Sequence, residues 1–166
     1  MPSIFSISGS NRSASVSERR ANVSVSVRTH GEYEISDDPA RLDLDAIERL
    51  LRGTYWASRR TRAVMEKSIA RSLCLGAYWR GAQVGFGRIV TDGATIAWVC
   101  DIVIDKEHRG ASLGTALVEA IVSHPEIADV RQILATRDAH ALYEKFGYQR
   151  HGEIILARNF RLLPQS

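Results

Sequence analysis

Long apolar runs, closely spaced cysteines and metal-ligand patterns are all missing from this sequence of 166 residues. No apolar run approaches the roughly 18 residues that a membrane-spanning helix needs, and no apolar stretch of a secretory signal stands near the N-terminus. The two cysteines, Cys74 and Cys100, form no C-x-x-C pair and fit no four-ligand zinc pattern. We therefore expect buried, reduced thiols, no metal site, a cytoplasmic location and no membrane partner.

Charge is in only slight positive excess, with a net charge of +3 and an isoelectric point of about 9.1. Lysine and arginine are scattered along the chain, so a nucleic-acid partner is not indicated. The length predicts one domain. Residues 1–21 are rich in serine and contain no acidic residue before Glu18, which predicts a flexible N-terminal extension ahead of a single domain at 22–166.

Helical and strand patterns both occur, without an internal repeat. Asp43 is a suitable helix N-cap and Gly53 a suitable stop, and a second helix over 61–71 is expected to bury Val64 and Met65. Short glycine turns then join three strands into an antiparallel meander. The remaining predicted strands lie at 22–30, 131–136 and 153–158, the meander covers 73–104, and further helices follow at 113–124 and 139–146.

The N-terminal segment IFSISGSNRSAS, residues 4–15, resembles the strand and phosphate loop of flavodoxin-like FMN reductases. That fold requires strands that alternate with long helices directly afterwards. Residues 22–30 instead alternate with the period of a strand. A flavin-binding fold is therefore the disfavoured alternative.

The connection between the apolar strand ending at Ile104 and the next helix contains an unusual pair of glycines, in the pattern Arg109-Gly110-x-x-x-Gly114. The first N–H groups of a helix lack partners within it and favour an anion, and glycine lets a bulky anion approach the backbone. A glycine turn without a ligand is the alternative. Because no Gly-Lys-Ser/Thr occurs and the preceding strands form hairpins, neither a nucleotide P-loop nor a dinucleotide fingerprint is indicated.

Two segments resemble motifs of the GNAT superfamily of N-acetyltransferases. DIVIDKEHRGASLGTALVEAI, residues 101–121, resembles its acyl-CoA signature, and AHALYEKFGYQR, residues 139–150, resembles its Ala-x-x-Leu-Tyr-Glu-Lys-x-Gly-Phe segment. The resemblance is strong over about 83–150 and looser over 40–158. It implies an α+β domain whose mixed, mostly antiparallel central sheet is flanked by helices and splayed around a cofactor slot.

The same resemblance implies an acyltransferase of the EC 2.3.1 class. The expected reaction transfers an acetyl group from acetyl-CoA to a primary amine, expected to belong to a small molecule, by direct attack in a ternary complex. The alternative is a non-catalytic acyl-CoA-binding or regulatory module. Because unpaired edge strands are available in such a sheet, a homodimer is a reasonable expectation.

The resemblance also assigns roles to residues. Loop N–H groups are expected to bind the CoA pyrophosphate, and the strand edge is expected to pair with the pantetheine amides. Tyr143 matches the family tyrosine whose hydroxyl points at the thioester sulfur, which implies a general acid. Ser112 stands where a glycine is usual, and Thr136 where an asparagine is frequent. The expected cofactor-binding residues are Ile102, Val103, Ile104, Arg109, Gly110, Ala111, Ser112, Leu113, Gly114 and Thr136.

Two residues are candidates for the general base. Asp101 is the only acidic residue in the strand IAWVCDIVI, where it would accept a proton from the amine or, alternatively, hydrogen-bond to loop backbone. His140 lies three residues before Tyr143 on the same helix face and is the second candidate.

Substrate contacts are expected from aromatic residues. Tyr55 and Trp56 lie between the first two helices, and Trp98 lies in the central strand. Together with Arg59 and Arg60, they would suit an aromatic or carboxylate-bearing amine. Packing in the core is the alternative for these aromatic side chains.

Overall fold

A computed structural model describes residues 25–150 of the protein. The predicted extension at 1–21, the flavin-like segment within it and the predicted strand at 153–158 lie outside the described residues. A six-stranded sheet in chain order forms the centre, with antiparallel neighbours except for a parallel last pair. The strands are β1 Val27–His30, β2 Tyr33–Ser36, β3 Leu73–Trp79, β4 Ala82–Thr91, β5 Ile96–Ile104 and β6 Arg131–Leu134. The helices are α1 Leu44–Arg52, α2 Arg62–Ile69, α3 Leu113–Val122 and α4 His140–Glu144, with 3-10 turns at Pro39–Arg41 and Lys106–His108.

This architecture confirms the predicted α+β fold with a mixed, mostly antiparallel sheet. Strand β5 lies between β4 and β6, as expected for a strand that is apolar on both faces. Helix α3 packs on one face of the sheet, and the α1–α2 pair packs on the other. On the α3 side, the core contains Ile89 and Val99 of the sheet together with Leu117 and Ile121 of the helix. On the other side, Phe86 and Val103 of the sheet pack with Ile47, Leu51 and Met65 of the helix pair.

The first two helices begin where the sequence predicts. The Asp43 side chain accepts hydrogen bonds from the first-turn backbone of α1, Gly53 follows its last residue, and Thr61 caps α2 in the same way. The expectation that Val64 faces inward is wrong, because 53% of this residue is exposed while Met65 is buried. Helix α2 has only eight residues and contacts the core through Met65 and Ile69, so the neighbouring Val64 is left uncovered.

Strand β2 was not predicted from the sequence, whereas β1 lies within the strand predicted at 22–30. Gly31, with φ of +59°, turns the chain between β1 and β2 and lets the two four-residue strands pair. Because β2 has only four residues, its apolar alternation is too brief to stand out. The hairpin adds two strands to one edge of the sheet.

A β-bulge interrupts the pairing of β4 with β5. Phe86 pairs with Val103, but Arg88 pairs with Cys100, so β5 contains one residue more than β4 over this stretch. The bulge contains Asp101, whose φ of +55° lies in the left-handed region that aspartate tolerates better than most residues. Bulges bend a strand and increase its twist, so β5 changes direction at Asp101.

Strands β5 and β6 diverge at the same level. Their parallel pairing ends at Val99 and Leu134, although β5 continues to Ile104. Among residues 25–150, the outer backbone edge of β5 beyond Val99 therefore has no strand partner. This confirms the splayed sheet and leaves an edge to which an extended ligand can add.

No helix within the described residues is long and apolar enough to cross a membrane. The same part of the chain holds no group of three or more His, Cys, Asp or Glu side chains placed to bind a metal ion. Cys74 is buried and Cys100 is partly buried. Burial raises the pKa of the Cys100 thiol to about 11, which keeps it protonated near neutral pH.

Candidate active site

The loop before α3 contains two residues in the left-handed conformation. Gly110 has a φ of +90°, which only glycine adopts at low cost, and Ser112 has a φ of +57° at the N-cap of α3. The Ser112 side chain makes no capping hydrogen bond. A strained non-glycine residue that leaves the helix start uncapped is typical of a loop shaped for a ligand.

The backbone N–H groups of this loop are available. Within residues 25–150, no N–H from Gly110 to Thr115 donates a hydrogen bond. Arg109 is exposed, while its Nε donates to the carbonyl of Ile104 at 3.1 Å and ties the loop to the end of β5. The combination of unpaired N–H groups, a helix N-terminus and a fixed guanidinium is suited to a phosphate group.

Gly114 has no packing reason to be glycine. A Cβ built at this position would meet only Cγ1 of Ile104, at 3.7 Å, which is an ordinary contact. Its φ is not positive, and alanine is preferred over glycine within helices by about 1 kcal/mol. The position therefore has room for a Cβ, and without one it lets a ligand approach the backbone closely.

The β1–β2 hairpin supports this loop from outside. The His108 ring packs edge-on to Tyr33, with a centroid separation of 5.7 Å, and lies 5.2 Å from the Trp79 ring. The Tyr33 hydroxyl is 3.2 Å from Nδ1 of His108, and Nε2 of His30 is 2.9 Å from the carbonyl oxygen of Ala111. The hairpin thus contacts this segment at His108 and Ala111, and only its second strand was missed by sequence patterning.

Asp101 is the centre of a buried ion-pair cluster. Nη1 and Nη2 of Arg60 donate to its two carboxylate oxygens at 2.6 and 3.1 Å, and Nε of Arg88 donates at 2.7 Å. Only 2% of the Asp101 side chain is exposed. Arg60 precedes α2, so this cluster connects the α1–α2 loop to the bulge of β5.

These contacts do not support the prediction that Asp101 is the general base. Burial alone would raise the pKa of Asp101, but the hydrogen bonds and charges of Arg60 and Arg88 outweigh it and lower that pKa below its usual value. A carboxylate held ionised by two guanidinium groups is a poor proton acceptor near neutral pH. Neither Arg60 nor Arg88 was assigned this role from the sequence, although Arg88 is the only charged residue of β4.

The Tyr143 side chain is half-buried on α4. Burial, followed by the charges of Tyr55 and Asp138, raises its pKa, so the phenol is protonated at neutral pH and can donate a hydrogen bond. Its hydroxyl has no hydrogen-bond partner within residues 25–150, whereas the Tyr148 hydroxyl donates to Oε1 of Gln132 at 2.6 Å. The Tyr143 hydroxyl is therefore a donor that the described fold does not use.

The α1–α2 loop meets this region through Tyr55. Tyr55 lies close enough to Tyr143 to affect its pKa, and its ring packs under the guanidinium of Arg137, whose Cζ is 4.0 Å from the ring centroid. Trp56 packs edge-on to Tyr55 at 4.8 Å and is 39% exposed. Trp98 is half-buried within β5. The structure thus brings Tyr55 and Tyr143 together, and it adds Arg137, which the sequence did not indicate.

Two further predicted residues have local partners. Oγ1 of Thr136 accepts a hydrogen bond from the backbone N–H of Ala139 at 3.1 Å, which shapes the entry to α4 and leaves its hydroxyl hydrogen for another acceptor. Val103 pairs with Phe86 of β4 on the inner side of β5, and Ile104 pairs with Gly85. Ile102 through Ile104 lie beyond Val99, the last residue of β5 that pairs with β6.

Comparison with known proteins agrees with this geometry. The profile of the family described as "Acetyltransferase (GNAT) domain" matches residues 70–150. A crystal structure from Xanthomonas campestris pv. campestris, described as a candidate acetyltransferase of the GNAT family, is 34% identical; the match covers 78% of this chain and 94% of that one, with a TM-score of 0.74. A candidate acetyltransferase from Gibberella zeae is 28% identical over 75% of this chain and 84% of its own length.

The ribosomal-protein-S18-alanine N-acetyltransferase of Escherichia coli shares the fold at 22% identity, with a TM-score of 0.57 over 69% of this chain and 76% of its own. The Xanthomonas relative is similar enough in sequence, and over enough of both chains, to show family as well as fold. The profile match spans the meander, the loop before α3 and helix α4. The chain therefore belongs to the GNAT family of acetyltransferases.

Proposed function

We propose that this protein is an N-acetyltransferase that transfers the acetyl group of acetyl-CoA to the primary amine of a small molecule within a ternary complex. The observation that carries the proposal is the set of unpaired N–H groups from Gly110 to Thr115, among which Gly114 leaves the backbone uncovered although a Cβ would fit there. Acetyl-CoA supplies the activated acetyl group. The protein's part is to hold its diphosphate, align its pantetheine arm and donate a proton where the thiol leaves.

The proposal assigns each part to residues already described. The loop Arg109–Gly114 binds the diphosphate, and the open edge of β5 at 102–104 pairs with the pantetheine amides as an added strand would. Tyr143 donates a hydrogen bond to the departing sulfur, since its phenol is protonated and has no other described partner. Asp101 acts as a positioning residue through Arg60, and His140 remains the candidate base.

A non-catalytic acyl-CoA-binding module is the second candidate. It is favoured by one observation, which is that the only carboxylate in β5 is occupied by two guanidinium groups. The two candidates predict the same binding but different turnover. Release of free thiol from acetyl-CoA in a screen of primary amines separates them, because a binding module shows none above the no-acceptor control.

Acetyl-CoA is expected to raise the melting temperature of the protein. A ligand at about 100 times its dissociation constant stabilises the native state by about 2.7 kcal/mol, which corresponds to several degrees for a domain of this size. The measurement is a thermal melt with millimolar acetyl-CoA, beside an unrelated acetyltransferase as a responding control. An unchanged melting temperature here, together with a shift in the control, would show that the slot does not bind acetyl-CoA.

Gly114→Ala is expected to change stability and binding in opposite directions. The unliganded protein should gain up to about 1 kcal/mol, because alanine is the better helix former and its Cβ meets no close neighbour. The affinity for acetyl-CoA should fall, because the methyl group fills the space over the backbone N–H groups. Urea unfolding without ligand and titration of acetyl-CoA measure the two effects. A variant that is both more stable and equally tight in binding would place the diphosphate elsewhere.

A further inference from the structure

The Arg137 guanidinium is held in place without using its hydrogen-bond donors. Its Cζ lies 4.0 Å from the centroid of the Tyr55 ring, a separation that fixes the group over the aromatic face. Within residues 25–150, Arg137 forms neither an ion pair nor a side-chain hydrogen bond, and it is exposed. A guanidinium immobilised through its face keeps its N–H edge free for a planar anion, and it loses little side-chain entropy when it binds one.

Arg137 follows the end of the sheet where β5 and β6 separate, which is where the acceptor would meet the thioester if the proposed function is correct. It is three residues beyond Leu134, the last residue of β6 that pairs with β5. Tyr55, under its guanidinium, is close enough to Tyr143 to affect the pKa of that phenol. Arg137 and Tyr143 therefore share Tyr55 as a neighbour.

The charged groups on the α1–α2 loop and the β5 bulge are positive on balance. Arg60 and Arg88 share the single carboxylate of Asp101, so one positive charge is not neutralised there. Asp138 is near enough to Tyr143 to affect the pKa of that phenol, and Glu144, the residue after Tyr143, is paired with Arg150 at 3.5 Å. Polycationic acceptors are disfavoured by such an environment, whereas an acceptor that carries an anion is favoured.

We propose that the acceptor is a primary amine that also carries a carboxylate, and that Arg137 binds this carboxylate through the N–H edge of its guanidinium. This inference rests on the proposed function and names the substrate class of the same site. Asp138 lies on the Tyr143 side and would attract the ammonium group of such a molecule. Arg137 is thus a specificity-determining residue.

The test compares amino acids with their primary amides as acceptors, with spermidine as a polycationic probe. Thiol release from acetyl-CoA is followed with L-phenylalanine, glycine and other amino acids, each beside its amide. The amide has the less basic amine and is intrinsically easier to deprotonate, so a preference for the acid runs against reactivity. We expect the wild type to favour the acid by roughly tenfold or more in kcat/KM, the effect of one or two charge-assisted hydrogen bonds.

Arg137→Gln keeps a planar donor but removes the charge, and Arg137→Lys keeps the charge without the planar fork. The acid-to-amide ratio of kcat/KM should fall towards one in Arg137→Gln and take an intermediate value in Arg137→Lys. Arg71→Gln is the matched control, because Arg71 is exposed and lies beyond α2 on the far side of the loop. Its acid-to-amide ratio should equal that of the wild type.

The outcomes separate this inference from the proposed function. Acetylation of amides or spermidine in preference to amino acids would overturn the inference and leave the acetyltransferase standing. The inference alone also fails if other amines but no amino acid are acetylated, or if Arg137→Gln keeps the wild-type ratio. If no amine releases thiol from acetyl-CoA, the proposed function itself is wrong, whether or not acetyl-CoA raises the melting temperature.

Discussion

Asp101→Asn is expected to destabilise the protein by about 3–5 kcal/mol, the cost of leaving buried charges without their partner. The substitution keeps the size of the side chain, and asparagine tolerates the left-handed backbone that Asp101 adopts at a φ of +55°. It therefore removes the charge without adding backbone strain. The guanidinium groups of Arg60 and Arg88, of which 21% and 12% are exposed, would lose their shared carboxylate.

Urea unfolding measures this loss, with Asp129→Asn as the control. Asp129 is exposed, and it forms no ion pair within residues 25–150, so its variant should stay within about 0.5 kcal/mol of the wild type. Equal slopes of the unfolding transitions would show that both variants unfold from the same compact state. An Asp101→Asn variant as stable as the control would mean that the ion pairs contribute nothing.

The pH dependence supplies an independent check with a defined sign. Because the folded-state pKa of Asp101 is lowered, its contribution to stability is complete above the unfolded value of about 3.9 and is lost as the pH falls through the folded value. The difference in stability between the wild type and Asp101→Asn should therefore be constant near neutral pH and shrink below about pH 4. A difference that persists unchanged into this acid range would contradict the charge-based explanation.

The same variant separates the two roles considered for Asp101. A positioning residue acts through Arg60 on the α1–α2 loop, so its loss should raise the KM for the acceptor and leave the pH profile of kcat in place. A general base would instead remove the ascending limb of that profile with little effect on the acceptor KM. The hydrogen bonds from Arg60 and Arg88 favour the first outcome.

The sequence predicted those parts of the fold whose signals are local. Asp43, Gly53 and Thr61 act on the helix ends within a few residues, and the glycine turns of the meander determine which strands pair. The loop before α3 was predicted from Gly110 and Gly114. Its conformation depends on two residues with positive φ, Gly110 and Ser112, and the second of these was not predicted. Ser112 adopts the left-handed conformation where the family usually has a glycine.

The parts that the sequence did not predict depend on contacts between distant residues. Arg60 and Asp101 are 41 positions apart, and nothing near either residue indicates the other. Arg137 likewise meets Tyr55 because the fold brings the segment after β6 next to the α1–α2 loop. The sequence shows that Asp101 is the single acidic residue of β5, which suggested a base. It does not show that two guanidinium groups surround this carboxylate in the fold.

Tyr143→Phe is expected to lower kcat by at least about tenfold, near the lower end of what positioned general acids contribute. The substitution keeps the ring that packs at 5.8 Å from Tyr148 and removes only a hydroxyl that has no hydrogen-bond partner within residues 25–150. Stability and the affinity for acetyl-CoA should therefore change little. Burial raises the pKa of Tyr143, so the phenol stays protonated and the defect should not vary between pH 7 and 9.

Tyr148→Phe is the matched control because the hydroxyl that it removes is engaged in a hydrogen bond within the fold. That hydroxyl donates to Gln132 at 2.6 Å, so its loss should cost roughly 1 kcal/mol of stability while turnover stays close to that of the wild type. Steady-state kinetics at saturating acetyl-CoA give kcat for both variants, and urea unfolding gives the free energy of unfolding of each. The expected pattern is a crossed one, in which Tyr143→Phe loses turnover and Tyr148→Phe loses stability. If Tyr143→Phe retains full turnover, the departing thiol takes its proton from another group, and Tyr143 serves only to pack α4 against its neighbours.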